Sequence, residues 1–351
     1  MKTVGKIAMM LAGIVVYLYA GGFNGIAINV GLLVFGFVLL IKGADWFVDA
    51  ASKIADKLGV SQLVIGLTIV AFGTSAPEAA VSITAALAGT GESVDIAIGN
   101  VLGSNIINIL LILGLASVIY PLAVQKQTRK FEIPFVIFIT AVALVMGYMD
   151  GNIGRTDGII LLALMLCFMI YLIRGAKNGE NSGDEEEVSG KDSNMFLLIL
   201  CVIIGGVCIV MGSNVTVSAA TVIATKLGMS ERLIGLTIVA FGTSLPELIT
   251  SCMAAAKKNA DIAVGNIVGS NIFNLLFVMA VTAVITPLPY KTQFGDGFAN
   301  GFGFFIDNIA AIVAAVILFI CVLNKDSKLK RTGGVLMLLT YAGYFAYLLM
   351  M

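Results

Sequence analysis

The sequence predicts an all-α integral membrane protein made of two inverted five-helix repeats, with one extra transmembrane helix at its N-terminus. Three observations predict this fold class: the composition, the distribution of basic residues and an internal repeat. Of the 351 residues, 59% are hydrophobic and 12% are charged, and the mean hydropathy is +1.02. Soluble domains are about 45 to 50% apolar and about 25% charged. The composition therefore indicates a chain that lies almost entirely in a membrane.

Apolar runs bounded by charged residues or by Gly, Pro and Asn predict eleven membrane spans. The first run follows Lys2 and Lys6 and resembles a signal peptide. Cleavage after Ala20 would place the bulky Leu18 where a small residue is preferred, so we expect this helix to be retained. The predicted spans are 7–21, 26–42, 63–86, 96–119, 132–148, 158–173, 195–213, 233–255, 262–286, 304–323 and 333–349.

The basic residues lie mainly on one side of these spans. With the N-terminus in the cytoplasm, 17 of the 21 Lys and Arg residues fall in cytoplasmic segments. An excess of Lys and Arg in cytoplasmic loops is the usual determinant of orientation. We therefore expect a multi-pass protein of the inner (plasma) membrane with a cytoplasmic N-terminus.

An internal repeat relates the two halves of the chain. Gly66 to Glu78 reads GLTIVAFGTSAPE and Gly235 to Glu247 reads GLTIVAFGTSLPE, so 12 of 13 positions are identical. Downstream, GNVLGSNIIN at 99–108 matches GNIVGSNIFN at 265–274 at 7 of 10 positions. Five predicted spans separate equivalent helices, and this odd number makes the two copies cross the membrane in opposite directions. Inverted repeats of this kind are typical of secondary transporters, which place a binding site where the halves meet.

The repeat divides the chain into four parts. We expect an N-terminal extra segment at 1–25, a first repeat at 26–174, a linker at 175–194 and a second repeat at 195–351. The linker carries six carboxylates and almost no apolar residues, which indicates a solvated cytoplasmic segment. A calcium-sensing loop is the alternative, although the DEEE run lacks the alternating ligand spacing of an EF-hand.

Several classes of function are excluded by composition. The chain has no histidine, which excludes serine–histidine hydrolases, histidine-zinc sites and histidine proton relays. The formal net charge is zero, so nothing indicates a nucleic-acid partner. The five cysteines lie in apolar stretches without CxxC spacing and are expected to be small packing residues. We expect a protein that is not an enzyme and has no cofactor.

Glu78 and Glu247 are the only carboxylates that lie well inside the predicted apolar spans. An ionisable group at the bilayer centre costs about 2.5 to 3.5 kcal/mol on insertion scales, so it indicates a functional site. The spans that carry the two repeated motifs contain no Lys or Arg that could form an internal ion pair. The partner of each glutamate must therefore be a cation or a proton.

The neighbours of the two glutamates are oxygen donors. Thr74 precedes Glu78 by four residues, so the two share a helical face with Ser75 beside them, and Thr243, Ser244 and Glu247 repeat the spacing. The pairs Ser104/Asn108 and Ser270/Asn274 are also four residues apart. Carboxylate, hydroxyl and amide oxygens favour calcium and sodium over soft metals.

Proline and glycine shape the same helices. Pro77 and Pro246 precede the glutamates and are expected to break or kink each helix, which frees carbonyls at membrane depth. Each GN–GSN motif also carries a GxxxG pair, at 99/103 and at 265/269, which predicts close helix packing without chemistry of its own.

These motifs, taken together and in this order, resemble the paired alpha-repeats of the sodium/calcium exchanger family, within the cation/calcium antiporter superfamily. The resemblance covers residues from about 26 to the C-terminus. It implies a four-helix ion-binding core, against which the spans at 26–42 and 195–213 slide. It also implies that Glu78 and Glu247 bind both calcium and sodium. The further ligands that it implies are backbone oxygens of Thr74 and Thr243, the side chains of Ser75, Ser104, Ser244 and Ser270, the carbonyls of Ala71 and Ala240, and the central Asn108 and Asn274.

This sequence departs from the family pattern at two places. Many prokaryotic relatives and the potassium-dependent branch carry Asp where this chain has Asn274, which disfavours potassium coupling. The span at 7–21 lies outside the common ten-helix core.

The function that we expect is exchange of calcium for sodium by alternating access, electrogenic and independent of potassium, through a monomeric transport unit in the lipid bilayer. The main alternative is a proton/calcium exchanger that uses the same glutamates. A passive cation channel and an intramembrane hydrolase with paired glutamates are weaker alternatives, because inverted repeats with proline-broken helices favour alternating access and no nucleophile or metal motif is present.

Overall fold

The computed structural model describes residues 25–88, 91–177, 194–228, 240–290 and 303–350. The predicted span at 7–21 and most of the predicted linker lie outside these residues. The described chain is almost entirely helical, and its helices appear in the order that the span prediction gives. The α-helices are α1 Ile26–Leu58, α2 Gln62–Ile65, α3 Ala71–Thr74, α4 Ala76–Ala88, α5 Gly91–Ile106, α6 Gly114–Ile119, α7 Ile133–Asp150, α8 Arg155–Lys177, α9 Met195–Lys226, α10 Ala240–Thr243, α11 Leu245–Ala256, α12 Ala260–Phe273, α13 Ala280–Ile285, α14 Gly303–Val322 and α15 Arg331–Met350.

In the described ranges, four π-helical segments join some of these helices end to end, at Gly66–Val70, Ile107–Leu113, Thr128–Glu132 and Asn274–Met279. Within the described residues, seven helices are long and apolar enough to cross a membrane, and a bent pair at 62–87 makes an eighth candidate. A multi-pass membrane protein follows from these helices.

Two helices are much longer than the sequence prediction. The predicted spans ended at residues 42 and 213, whereas α1 has 33 residues and α9 has 32. The hydropathy pattern stops where Lys42 and the following charged residues begin, but charge does not end a helix. Helix α1 continues until Gly59, whose left-handed φ of 64° provides the C-cap. At about 1.5 Å per residue, each helix is about 50 Å long and exceeds the hydrocarbon thickness of a bilayer.

Helices α1 and α9 cross in an antiparallel direction at paired glycines. Gly36 lies against Gly212, and Gly43 lies against Gly205. A Cβ atom built on Gly36 would come within 2.9 Å of the Thr216 backbone nitrogen, so the two backbones touch and no larger residue fits there. Within each helix the two glycines are seven residues apart, and the first glycine of each helix lies against the second glycine of the other.

The two motif-bearing helices break before their glutamates. The segment 62–74 meets 76–87 at an angle of 48°, and Ser75 between them has φ −83° and ψ 7°. Ser244 has nearly the same conformation, with φ −87° and ψ 3°, between α10 and α11. Pro77 and Pro246 follow these breaks by two residues, which agrees with the predicted loss of a helical hydrogen bond. Each glutamate therefore lies in the first turn of a new helix.

The second GxxxG pair packs as its sequence predicts. A Cβ atom on Gly265 would lie 2.9 Å from the Leu63 carbonyl oxygen, and one on Gly269 would lie 2.8 Å from Leu67. Helix α12 therefore rests directly on the segment that leads to Thr74 and Ser75. The equivalent residues in the second half, near Gly235, lie outside the described part of the chain.

In the part of the chain that the structure describes, two short antiparallel ribbons connect the halves. Strand β1 (Leu122–Ala123) pairs with β4 (Lys328–Leu329), and β2 (Asn152–Ile153) pairs with β3 (Leu288–Pro289). Each ribbon joins a loop of the first half to a loop of the second, so the halves contact each other at the ribbons, at the long helices and in the core.

Candidate ion-binding site

The two glutamates of the repeated motifs lie in the protein interior. Glu78 is 1% exposed and Glu247 is 0% exposed. Both follow a break in a helix, so each carboxylate lies near backbone N–H groups of a helix N-terminus, where negative charge is favoured. The structure thus places both glutamates where the sequence predicted a site.

The serine after each repeated threonine reaches the glutamate of the other half. Ser75 donates its hydroxyl to Glu247 Oε1 at 2.8 Å, and Ser270 donates to the same oxygen at 3.4 Å. Ser244 donates to Glu78 Oε1 at 3.4 Å and also lies 3.4 Å from Ser104 Oγ. Three of the four predicted serines therefore donate to a carboxylate, and the fourth, Ser104, contacts Ser244.

The other oxygen of each glutamate has no hydrogen-bond partner. Glu78 Oε2 and Glu247 Oε2 are buried and unpaired, and so are Asn108 Oδ1 and Asn274 Oδ1. Buried polar atoms are nearly always hydrogen-bonded, and an unpaired one costs about 1 to 3 kcal/mol. These four oxygens lie on four residues that the sequence predicted as ligands, and each is free to pair with a cation or a proton.

Within the part of the chain that the structure describes, no basic side chain forms an ion pair with Glu78 or Glu247. Lys257 and Lys330 form ion pairs with aspartates outside this centre. Two buried carboxylates without a counterion would be very costly, because a charge taken out of water needs compensation. A divalent cation, several monovalent cations or protons can supply it.

The two threonine side chains make hydrogen bonds to groups other than the carboxylates. The Thr74 hydroxyl lies 3.1 Å from the Val70 carbonyl and 3.0 Å from Asn266 Oδ1, and Thr243 donates to Asn100 Oδ1 at 3.3 Å. The threonine backbone oxygens as ligands stay a prediction that the family resemblance implies.

The two alanine carbonyls stay predictions. The Ala71 carbonyl accepts the helical N–H of Ser75 at 3.0 Å and also lies 3.3 Å from Thr74 Oγ1. Ala240 begins α10, and the structure does not describe its side chain.

Sequence reasoning missed two pairs of asparagines near the site. Asn100 donates to the Glu78 carbonyl at 3.2 Å and to Ser82 at 2.9 Å, and Asn266 donates to Ser251 at 2.8 Å. The second pair, Asn105 and Asn271, lies between the two GSN helices. Both pairs repeat in the GN and SN positions of the two motifs, and this duplication could have identified them.

Two further carboxylates lie near the ends of predicted spans, one of them buried and the other half-buried. Glu132 is 1% exposed and accepts a hydrogen bond from the Tyr171 hydroxyl at 2.6 Å. The half-buried Asp307 accepts one from the Tyr344 hydroxyl at 2.7 Å. Because of their positions, hydropathy treated both as boundary residues, and Glu78 and Glu247 remain the carboxylates that lie well inside the predicted spans.

Comparison with known proteins identifies the family. The family model described as "Sodium/calcium exchanger protein" matches residues 28–174 and 197–350. The chain belongs to the sodium/calcium exchanger family. The family match and the buried oxygen centre make this chain a cation/calcium antiporter of the membrane.

A solved structure and two curated sequences resemble this family member over most of its length. A structure of the sodium-calcium exchanger NCX_Mj superposes with a TM-score of 0.76 at 34% identity, over 92% of this chain and 99% of that one. The sodium/calcium exchanger MaX1 of Methanosarcina acetivorans is 29% identical, over 92% of this chain and 99% of the relative. The inner membrane protein YrbG of Escherichia coli is 40% identical, over 73% of this chain and 79% of the relative.

Proposed function

We propose that this antiporter exchanges calcium for sodium, electrogenically and without potassium, by alternating access to the centre that contains Glu78 and Glu247. The observation that carries the proposal is the set of four buried, unpaired oxygens on Glu78, Glu247, Asn108 and Asn274. Carboxylate and amide oxygens are the ligands that calcium and sodium prefer. The relatives named for sodium/calcium exchange support the choice of ions.

Competition for the same oxygens couples the two ions. Glu78 and Glu247 together carry a charge of −2 when ionised, which one calcium ion or more than one sodium ion neutralises. The unloaded centre would hold two uncompensated buried carboxylates, so it crosses between open states at a high free-energy cost. Only a loaded centre passes readily, and this requirement makes the protein an exchanger.

The contacts of the two halves support an inverted ten-helix core. Helices α1 and α9 are antiparallel, and the serine bonds to the glutamates occur twice with the halves exchanged. We assign the repeats to 26–174 and 195–351, with the N-terminal segment 1–25 as an extra helix, and place the N-terminus in the cytoplasm from the basic residues. In this arrangement α1 and α9 slide along the core, and one chain contains a complete transport unit.

Asn274 is the basis for independence from potassium. Its amide contributes an oxygen but no third negative charge, so the centre has no excess charge to hold a further monovalent cation. The human sodium/potassium/calcium exchanger 5 is a more distant relative, 25% identical over 91% of this chain and 82% of that protein.

The test is calcium flux in proteoliposomes under a controlled membrane potential. We expect calcium uptake driven by an outward sodium gradient, unchanged when choline replaces potassium on both sides, and accompanied by a net current. Uptake driven by a proton gradient without sodium would instead establish the proton/calcium alternative. Flux that requires added potassium would show that Asn274 does not make transport independent of potassium.

A further inference from the structure

Four asparagines form a hydrogen-bonded chain where the two GSN helices meet. Asn105 and Asn271 face each other, and each donates its side-chain N–H to the backbone carbonyl of the other, at 3.3 and 3.2 Å. Asn108 donates to Asn271 Oδ1 at 3.0 Å, and Asn274 donates to Asn105 Oδ1 at 3.1 Å. This chain of four side chains is almost fully buried, because all four residues are 0 to 2% exposed.

The direction of these hydrogen bonds is fixed from the backbone. A carbonyl oxygen only accepts, so the amide group of Asn105 must present its nitrogen to the Asn271 carbonyl. Its side-chain oxygen is then left for Asn274, which must present its own nitrogen in return. The same sequence of bonds runs from the Asn105 carbonyl through Asn271 to Asn108.

The result is an oxygen, and not a nitrogen, on the free side of both central asparagines. Asn108 Oδ1 and Asn274 Oδ1 are the buried atoms that lack a partner, whereas both Nδ2 atoms are occupied. An amide rotated by 180° would turn N–H groups toward the centre, and those groups repel a cation. The orientation of each amide therefore decides whether it is a ligand.

We propose that Asn105 and Asn271 are positioning residues for cation binding: Asn105 orients the amide of Asn274, and Asn271 orients the amide of Asn108, so that both present oxygen to the ion. The proposal rests on the proposed function for the identity of the ion, and adds two residues that contact no ion themselves. Asn105 and Asn271 are the second asparagines of the two GN–GSN motifs, and neither belongs to the predicted ligands. The proposal gives both of them a role.

The cross-repeat pairing allows a crossed test. Aspartate at 274 or 108 presents oxygen in either orientation, so it does not need a positioning partner. We expect Asn105→Ala to weaken calcium binding about tenfold, the size of one misdirected ligand. In an Asn274→Asp background the same substitution should change binding less than about twofold. In an Asn108→Asp background it should still cost about tenfold.

The mirror experiment exchanges the partners. Asn271→Ala should lose its effect in the Asn108→Asp background and keep it in the Asn274→Asp background. A role limited to packing predicts equal losses of each alanine variant in both backgrounds, because neither aspartate restores the removed contact. Equal losses would therefore overturn the proposal.

The measurement is binding of radioactive calcium to the purified full-length protein, with size-exclusion elution as the check of folding. This assay needs only calcium binding, so the crossed pattern can be measured even if the wild type shows no sodium-driven flux. A wild type without sodium-driven flux would refute the proposed exchange function but not the positioning role of the two asparagines. If Asn105→Ala is not recovered from the membrane, Asn105→Leu, which has nearly the same shape, replaces it. Failure of both to fold would show a structural role and overturn the proposal.

Discussion

The C-terminal halves of the two long helices are held differently, although the glycine crossing between them is matched. In the C-terminal half of α1, Lys257 binds Asp45 Oδ1 at 2.7 Å and Asp49 Oδ1 at 2.6 Å. The repeat offset of 169 residues places Asn214, Ser218 and Ala88 at the corresponding positions. The second half therefore cannot form this ion pair.

A polar network extends the same contact in the first half. Asn259 donates to Ser52 at 2.9 Å, and Gln62 donates to Asp56 at 2.8 Å. These bonds, with the Lys257 ion pairs, fasten α1 to the loop between α11 and α12 and to the start of the first motif helix. By the proposed orientation, they lie on the cytoplasmic side.

A second difference is a hydrogen bond that is present only in the second half. The Ser213 hydroxyl on α9 donates to the Gly242 carbonyl at 2.7 Å, which is one of the carbonyls that the prolines were predicted to free. The equivalent position on α1 is Ala44, which has no hydroxyl to offer the Gly73 carbonyl. The candidate centre is duplicated closely, whereas the contacts of α1 and α9 differ. If these two helices slide as proposed, we expect their different contacts to set the relative free energies of the two open states.

The largest effect should come from substitutions in the centre that contains Glu78 and Glu247. Glu78→Gln and Glu247→Gln should each reduce sodium-driven calcium flux by more than about 100-fold, because a buried ion that loses its counter-charge costs about 3 to 5 kcal/mol. The measurement is flux in proteoliposomes with equal amounts of inserted protein. Glu132→Gln is the matched control, a buried glutamate outside the centre, and it should retain flux. Near-normal flux in either centre variant would contradict a shared site.

Ser213→Ala should have the next largest effect. The substitution leaves the buried Gly242 carbonyl without this donor, at a cost of about 1 to 3 kcal/mol to the conformation described here. We expect the ratio of half-saturating calcium concentrations at the two membrane faces to shift by about tenfold in vesicles of defined orientation. Ser218→Ala, at an exposed position on the same helix, should leave the ratio unchanged. An equal shift in both variants would mean that the hydrogen bond is unimportant.

Lys257→Met should shift the same ratio by about two- to fivefold. The ion pair is partly exposed, with side-chain exposures of 25% for Lys257 and 35% for Asp45, and such pairs contribute about 0.2 to 1 kcal/mol. Because the pair fastens α1 on the cytoplasmic side, its loss should lower the calcium concentration required at that face. The neighbouring Lys258→Met is the control. High salt should reduce the difference between wild type and Lys257→Met, since screening weakens exposed pairs.

The smallest effect is expected for the acidic linker. Shortening residues 180–192 should leave both flux and the ratio of half-saturating concentrations unchanged, because that stretch has no apolar face that could dock on the helices. A shortened protein that inserts normally but loses its response to calcium would show that the carboxylate run is regulatory.

The repeat explains why the glutamates and serines could be predicted from the sequence and other features could not. Each of these residues occurs in both copies of a repeated motif, so two copies indicated one site. Hydropathy placed the ends of α1 and α9 too early, because it reports transfer into lipid and not where a helix ends. It also treated Glu132 as a boundary residue. The duplication also marks Asn105, but its role depends on hydrogen-bond direction, which is visible only in three dimensions.

The two β-ribbons have a consequence for the origin of the molecule. Because β1–β4 and β2–β3 each join a loop of one half to a loop of the other, the halves are associated without any need for the peptide chain between them. Each half also matches the same family model separately. Two polypeptides, divided within 178–193 and synthesised together, are therefore expected to reassemble, as a pair of identical ancestral subunits would have done before gene duplication and fusion joined them.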